Sequence, residues 1–433
     1  MGAALTMACT SDLSGLVRGK GFATSDLDKK IARGIGWTPT NAQITCFDTI
    51  AESPYGALGD LVLWPDADTL TQSALPDGRT MSFLMGDIAE LDGMPWECCT
   101  RSILKSTLAR FTEVSGLELR ATFEHEFMLP GGSGTRAFTL QGFNEVQPFA
   151  DALLTALEGA GIAPDSFLRE YGPDQYEVTL PPTSALRAAD EATMLREITR
   201  ATAASMGMSA TFSPLVGPEV VGNGVHIHIS LWTADGRPVT HDASGQDGLS
   251  GPASAFVAGI LRHLNAVSAL TAPSAISALR LVPHRWSAAF NNLGAQDREA
   301  AIRICPVTAR EPEARAKQFN FEFRAADAAA SPYLALAALV AAGTIGMKEG
   351  LRAAAATKED LSLLSEKDLE KRKLMRLPNS LSAALEAFSA DGTLRAAFPE
   401  RLPDIYVAHK LGEWAHTANM NDTERFAQYQ STY

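Results

Sequence analysis

Residues 319–324 read FNFEFR, and their strict alternation leaves little choice of local structure. At a period of two, Phe319, Phe321 and Phe323 point to one face, and Asn320, Glu322 and Arg324 to the other. A strand with a phenylalanine face has its back in a core, and its front sets a carboxylate beside a guanidinium. The same stretch, Ala278 to Asp327, carries Arg280, Arg298 and Arg303 as well. Planar N–H pairs of arginine match carboxylate and phosphate oxygens bidentately. These four arginines, with Glu322, in an apolar, strand-forming context point to a site for an anionic substrate and a transferring phosphoryl group. The other reading, a set of surface ion pairs, suits any single arginine better than all four.

Composition narrows the function classes. A net charge of −13, with no basic cluster to relieve it, argues against a nucleic-acid partner and against an anionic membrane surface. Cys98 and Cys99 are neighbours, while Cys9, Cys46 and Cys305 are scattered, which is neither a disulfide framework nor a zinc pattern. A reducing cytoplasm fits that usage, and the N-terminus lacks the apolar core of a signal peptide. MGAALT matches a myristoylation pattern that is short and common, and is read as chance. The nearly uncharged run from Ser331 to Met347 is rich in Ala and Gly, and short for a span of about 20 residues. It reads as a small-residue helix buried in a large core, with Pro332 in its first turn.

Along the chain, AQITCFDTI, DLVLWPD and SFLMGDI read as strands between turns. A boundary near DGMPWECCT predicts an N-terminal domain over residues 1–95 and a catalytic domain over 96–433. The second opens with a helix, RSILKSTLARFTEV, then a strand, LRATFEHEFML, and a PGGSGT loop. DALLTALEGAG reads as a helix ended by glycine, DQYEVTL as a strand, LRAADEATMLREITRATAASMG as a long amphipathic helix and GNGVHIHISLW as a strand. The class is α+β.

Each of these strands sets ionisable groups on one side. Glu124 and Glu126 share a face, and two carboxylates so close repel unless a cation or proton lies between them. Glu177 opposes Tyr176 and Val178, Glu170 precedes it across a Gly-Pro turn, and His226 and His228 share a face opposite Val225, Ile227 and Ile229. Oxygen-rich ligands with an occasional imidazole suit Mg²⁺ or Mn²⁺, whereas zinc favours more His and Cys. Singly, each histidine could be a hydrogen-bonded half-buried side chain and each acid a solvated edge residue; the ensemble favours metal.

These blocks, in this order, resemble the glutamine synthetase superfamily over nearly the whole chain. FEHEF looks like its metal-binding strand, EYGPDQYE its E-x-G-P-G-Q-x-E, and GNGVHIHISLW its G-S-G-M-H-x-H-x-S-L-W. RLVP, DREAAIRI and FEFRAADAAASPYLALAALVAAG are similar to its three arginine-bearing blocks. The resemblance implies a small β-grasp-like N-terminal domain on a large catalytic domain, stacked rings of subunits (a dodecamer), and ATP, glutamate and an amine as small-molecule partners. Glu126, Glu170 and Glu177 would hold one divalent metal; Glu124, His226 and Glu322 the other. His228, Arg298 and Arg303 would face the transferred phosphoryl group. Arg280 and Arg324 would bind glutamate carboxylates, with Gly222 in the same pocket. Ser230, Trp232 and Lys317 would contact the nucleotide. Asp48 would assist the incoming amine from a neighbouring subunit.

Departures from the family pattern matter equally. Trp286 stands where the flap after RLVP carries a glutamate that holds ammonium. Leu168 replaces a histidine, Val221 an asparagine and Asp174 a glycine, and the segment before LPNSLSAALEAF lacks the tyrosine that some members have adenylylated. With the activation half intact and the ammonium half altered, the expected function is a ligase joining glutamate to an organic amine. Ordinary glutamine synthesis is the alternative. A lapsed structural or regulatory member is a third, disfavoured because a lapsed site has no physical need for clustered like charges.

Overall fold

His226, His228 and their aliphatic neighbours lie on strand Val225–Thr233, in the middle of an eight-stranded sheet of the computed structural model, which describes residues 4–132, 134 and 136–433. Gly2 of the MGAALT pattern, and Ser133 and Thr135 of the PGGSGT loop, lie outside the described residues. The sheet runs Phe290–Ala295, Ala300–Ile304, Phe321–Ala326, Val225–Thr233, Leu117–Met128, Gln175–Thr179, Ser166–Arg169, and Thr183–Ser184 pairs with Leu117–Met128. Every pairing is antiparallel except that of Phe290–Ala295 with Ala300–Ile304. One face carries the aliphatic and aromatic residues into the core, where Phe321, Phe323, Ile227 and Phe127 are fully buried.

The small-residue segment is the helix Pro332–Lys348, buried over all but its last turn. Its composition has a packing reason. A Cβ at Gly259 would lie 2.2 Å from the carbonyl oxygen of Ala342, and one at Gly346 only 2.3 Å from that of Ala255. Helices Gly251–Arg262 and Pro332–Lys348 therefore approach closer than any side chain at the crossing allows. No single helix among the described residues is long and apolar enough to cross a membrane.

The N-terminal sheet is ordered Val17–Ala23, Leu5–Ser11, Thr80–Glu90, Leu61–Pro65, Ile35–Trp37, with Thr71–Ala74 also on Thr80–Glu90. Two strand expectations, DLVLWPD and SFLMGDI, fall on Leu61–Pro65 and Thr80–Glu90. The third is corrected: AQITCFDTI is the end of the 3₁₀ helix Pro39–Gln43 and a tight turn. Thr45 Oγ1 accepts from the amides of Phe47 and Thr49, both at 3.3 Å, and Asp48 takes φ 56°. A side chain bonding its own backbone in this way competes with a ladder. The helix expected to begin at Asp151 begins at Leu140, capped by the Thr139 hydroxyl. It runs through Pro148, whose position is exposed, so the carbonyl that loses its donor lies on the solvent side.

Buried arginines join the two sheets' supports. Arg101, on helix Thr100–Ser115, meets Asp190 at 2.8 and 3.0 Å, Asp87 at 3.1 Å and Asp66 at 2.8 Å, and Asp190 also accepts from Tyr333 Oη at 2.6 Å. Arg196 donates to the carbonyls of Ala328 and Gly15. Arg101→Ala strands Asp190 in the core, and the expected loss is about 3–5 kcal/mol in urea unfolding. The double replacement of Arg101 and Asp190 by leucine should recover part of that loss. A single variant as stable as the wild type would refute the role of this cluster.

Candidate active site

Cross-strand register builds the site. Arg303 stands opposite Glu322, Glu322 opposite His228, His226 opposite Glu124, and Glu126 opposite Glu177. Residues in register on one face bring side chains into contact. Five strands thus present a continuous patch of charge, and it forms the wall of a cavity of about 740 Å³.

Glu322 is the best-compensated group. Its Oε1 accepts from Arg303 Nη1 at 2.9 Å and Arg324 Nη1 at 2.6 Å, and its Oε2 lies 3.0 Å from His228 Nε2. Burial alone would raise its pKa, but His228, His226 and Arg324 hold it far below the carboxylate range. Glu124 behaves alike: burial opposes ionisation, and His226 at 3.3 Å and His228 at 3.0 Å overcome it. His228, for which burial acts the other way, is raised by Cys305, Glu124 and Glu322. The opposite wall lacks such partners. Burial and Glu126 push Glu170 up to about 7, and burial with Glu124 and Glu126 raises Glu177 well above the usual carboxylate range. Carboxylates that repel one another call for a cation.

The donor sets fit that demand. Oxygen or nitrogen donors of Glu124, His226 and Glu322 lie within 4.8 Å of one another, as do those of Glu126, Glu177 and His226. Carboxylates with one imidazole suit a hard divalent ion. Glu170 lines the cavity without joining either group.

The remaining expected residues divide clearly. Arg280, Arg298, Arg303, Arg324, Gly222, His228 and Trp286 line the cavity together with all six acids and histidines expected at metal. Arg280 is buried and donates to Ser287 Oγ at 2.9 Å and to the Ala326 carbonyl at 2.7 Å. A Cβ at Gly222 would meet the Pro214 carbonyl at 2.3 Å and the Arg280 side chain at 2.9 Å, so the arginine needs that glycine. Ser230 and Trp232 continue the histidine face beyond the cavity; Trp232 donates to Ser230 at 2.8 Å, and the Arg120 guanidinium covers its ring at 3.9 Å. Lys317 is exposed on the short helix Pro312–Gln318 and does not reach the lining. Asp48 lies outside its own chain's cavity, exposed and paired with Arg18 at 3.1 Å.

Several functional positions escaped the sequence reading. Gln175 donates to Glu126 at 3.3 Å and to Asn223 and the Gly222 carbonyl at 3.0 Å, tying the acid wall to the glycine turn. Its signal was its place in EYGPDQYE. Glu299 accepts from the amides of His284 at 3.1 Å and Trp286 at 3.2 Å, which both take positive φ, 63° and 53°. Trp286 packs on Tyr171 with ring centroids 4.8 Å apart, and both are about half exposed. Asp174 takes φ 51°, the conformation a glycine favours, and its carboxylate accepts from the Gly132 and Gly134 amides at 2.9 and 3.1 Å.

Two family models match end to end: the glutamine synthetase N-terminal domain over residues 3–96 and its catalytic domain over residues 97–429. The chain belongs to the glutamine synthetase family. It is 34% identical to the gamma-glutamylpolyamine synthetase GlnA3 of Streptomyces coelicolor, over 98% of this chain and 92% of that one. To the glutamine synthetase of Methanocaldococcus jannaschii it is 31% identical, over 86% and 82%. Among solved structures, a novel glutamine synthase homolog superposes with a TM-score of 0.92 at 40% identity, covering 100% of this chain and 99% of that one. GmaS without ligand gives 0.81 at 26% identity, over 98% and 96%. The protein is therefore a ligase of the glutamine synthetase family, whose members use ATP and divalent metals such as Mg²⁺ or Mn²⁺, act on small molecules and are generally oligomeric.

Without metal, the acid wall should make stability depend on pH. Glu170 is held near 7 by burial and by Glu126, above its value in the unfolded chain, so folding takes up a proton. The stability this contributes is complete below the unfolded value and is lost as pH rises through about 7. Glu177, raised by burial and the same neighbours, acts in the same direction. Metal-free protein should melt at a lower temperature at pH 8 than at pH 6, Mn²⁺ should restore the pH 8 value, and Glu170→Gln should narrow the gap. Equal gaps in wild type and variant would show that Glu170 does not titrate in this window.

Proposed function

We propose that the protein joins the γ-carboxylate of L-glutamate to an organic amine at the expense of ATP, through a γ-glutamyl phosphate, giving a γ-glutamylamide. The observation that carries this reading is Trp286. An indole packed on Tyr171 lines the cavity, where the sequence resemblance puts the family's ammonium-binding glutamate, and the acids and arginines of the activation half line the same cavity. The names of the similar gamma-glutamylpolyamine synthetase and of GmaS agree with it.

A carboxylate does not react with an amine at neutral pH because oxide is a hopeless leaving group, and phosphorylation supplies a better one. Bound divalent ions would neutralise charge on the ATP phosphates, held by Glu124, His226 and Glu322 and by Glu126, Glu177 and Glu170. Arg298 and Arg303, with His228, face the transferring phosphoryl group and stabilise the charge that develops there. Arg280 and Arg324 orient glutamate, with Gly222 leaving room beside Arg280. Ser230, Trp232 and Lys317 take the nucleotide end. A neutral amine then attacks the acyl carbon, with Asp48 of a neighbouring subunit accepting its proton. That last role needs a neighbouring subunit, because Asp48 does not line its own chain's cavity, and the assembly proposed for it is stacked rings, a dodecamer. Mixed rings of Asp48→Ala and Arg324→Ala subunits should regain some activity that neither variant has alone; demonstrably mixed rings that stay inactive would remove Asp48 from the shared site.

An indole in place of a carboxylate removes the charge that binds ammonium and adds apolar area. That area favours substituted amines by about 25 cal/mol per Å² buried, with cation–π attraction for a charged amine. One observation favours ordinary glutamine synthesis instead: a carboxylate, Glu299, is hydrogen-bonded to the flap at the Trp286 amide, although it does not line the cavity. Phosphate release across a panel of amines, in wild type and Trp286→Glu, separates the two. Wild type should show higher kcat/KM for a hydrophobic primary amine than for ammonium, and the variant should lose that preference. Ammonium as the best wild-type substrate would return the protein to glutamine synthesis.

A further inference from the structure

Cys305 lines the cavity and takes no part in the chemistry above. It is buried, and its sulfur lies 3.5 Å from His228 Nδ1. His228 reaches Glu322 Oε2 at 3.0 Å through its other nitrogen, and one donor atom from each of Cys305, His228 and Glu322 lies within 4.8 Å of the others. Asn320 adds a carbonyl oxygen 2.9 Å from His228 Nδ1. The sulfur–nitrogen separation matches tetrahedral coordination: bonds of about 2.3 Å to sulfur and about 2.0 Å to nitrogen span roughly 3.5 Å at the tetrahedral angle. Among the described residues, no other cysteine belongs to such a donor group.

We infer that Cys305, His228 and Glu322 form a third cation site, selective for a thiophilic divalent ion such as Zn²⁺ over Mg²⁺, and that filling it inhibits the ligase. A thiolate is a soft ligand, whereas the two clusters described above are oxygen-rich and hard. Coordination exchanges the ion for the thiol proton and any proton on the imidazole, both released to solvent; a bound divalent ion deprotonates a coordinating thiol outright. Inhibition follows from sharing. Glu322 cannot serve the Glu124–His226–Glu322 cluster in full while it holds an ion beside Cys305, and His228 is withdrawn from the phosphoryl group. The binding half is independent of which amine is used; the inhibitory half rests on the roles of Glu322 and His228 proposed above.

The test uses the full-length protein and Co²⁺ alone as the first probe. Wild type should develop a thiolate-to-cobalt charge-transfer band in the near ultraviolet, one equivalent of Zn²⁺ should erase it, and Cys305→Ser and Cys305→Ala should lack it. Either variant suffices if the other fails to fold. In the second measurement, Zn²⁺ inhibits phosphate release at saturating Mg²⁺, with whichever amine or ammonium gives turnover. The inhibition constant should weaken by more than about tenfold in the Cys305 variants, each referred to its own Zn²⁺-free rate. Identical cobalt spectra in wild type and both variants would overturn the site. A band lost in the variants, with unchanged sensitivity to Zn²⁺, would overturn the inhibitory role and leave the proposed reaction untouched.

Discussion

The carboxylate of Glu322 is almost completely buried, and the rest of the site is arranged around keeping it ionised there. An isolated carboxylate in that position would take up a proton, because burial of an unpaired charge costs more than any fold of this size can spare. Two guanidiniums and an imidazole meet its two oxygens. The same imidazole also reaches Glu124, so the compensation passes from one strand to the next. On the far side the chain stops compensating: Glu126, Glu170 and Glu177 face one another with fewer cations in reach. The asymmetry separates a wall that is neutralised by the protein from a wall that awaits neutralisation from outside.

Such a charged face is tolerable only if the opposite face of the sheet is well anchored. Phenylalanine and isoleucine alternate with the ionisable residues on Phe321–Ala326 and Val225–Thr233, and the glycine-bearing helix crossing lies in the core behind them. Arg101 and Arg196 extend the support to the N-terminal sheet through contacts that are themselves charged and buried.

What could be read from the amino acids follows the range of the interactions. Face assignments on FEHEF, VHIHI and FEFR needed only a period of two, and the strands carry them as expected; Phe319 caps the preceding helix, so the strand read from FNFEFR begins at Phe321. The small-residue helix was legible because length and composition are local. The resemblance supplied the grouping of residues that no periodicity could supply: that Arg303, Glu322 and His228 stand in one row is a matter of register across three strands. The misreadings have equally local causes. Thr45 turns its own backbone where hydrophobic spacing suggested a strand, and Pro148 sits harmlessly on a solvent face where proline ordinarily ends a helix. Glu299 left no trace, since nothing in QDRE announces a side chain that reaches back to two amides 13 and 15 residues earlier.

That reach-back separates what holds the flap from what the flap displays. The flap's backbone is pinned by Glu299 through the amides of residues 284 and 286, and neither bond involves the side chain at 286. Position 286 therefore works as a socket. Its frame belongs to another part of the chain, and the group plugged into it can be exchanged without refolding the loop. On the function proposed above, a change of nucleophile then needs a change at one codon, with the strands behind the flap left as they are.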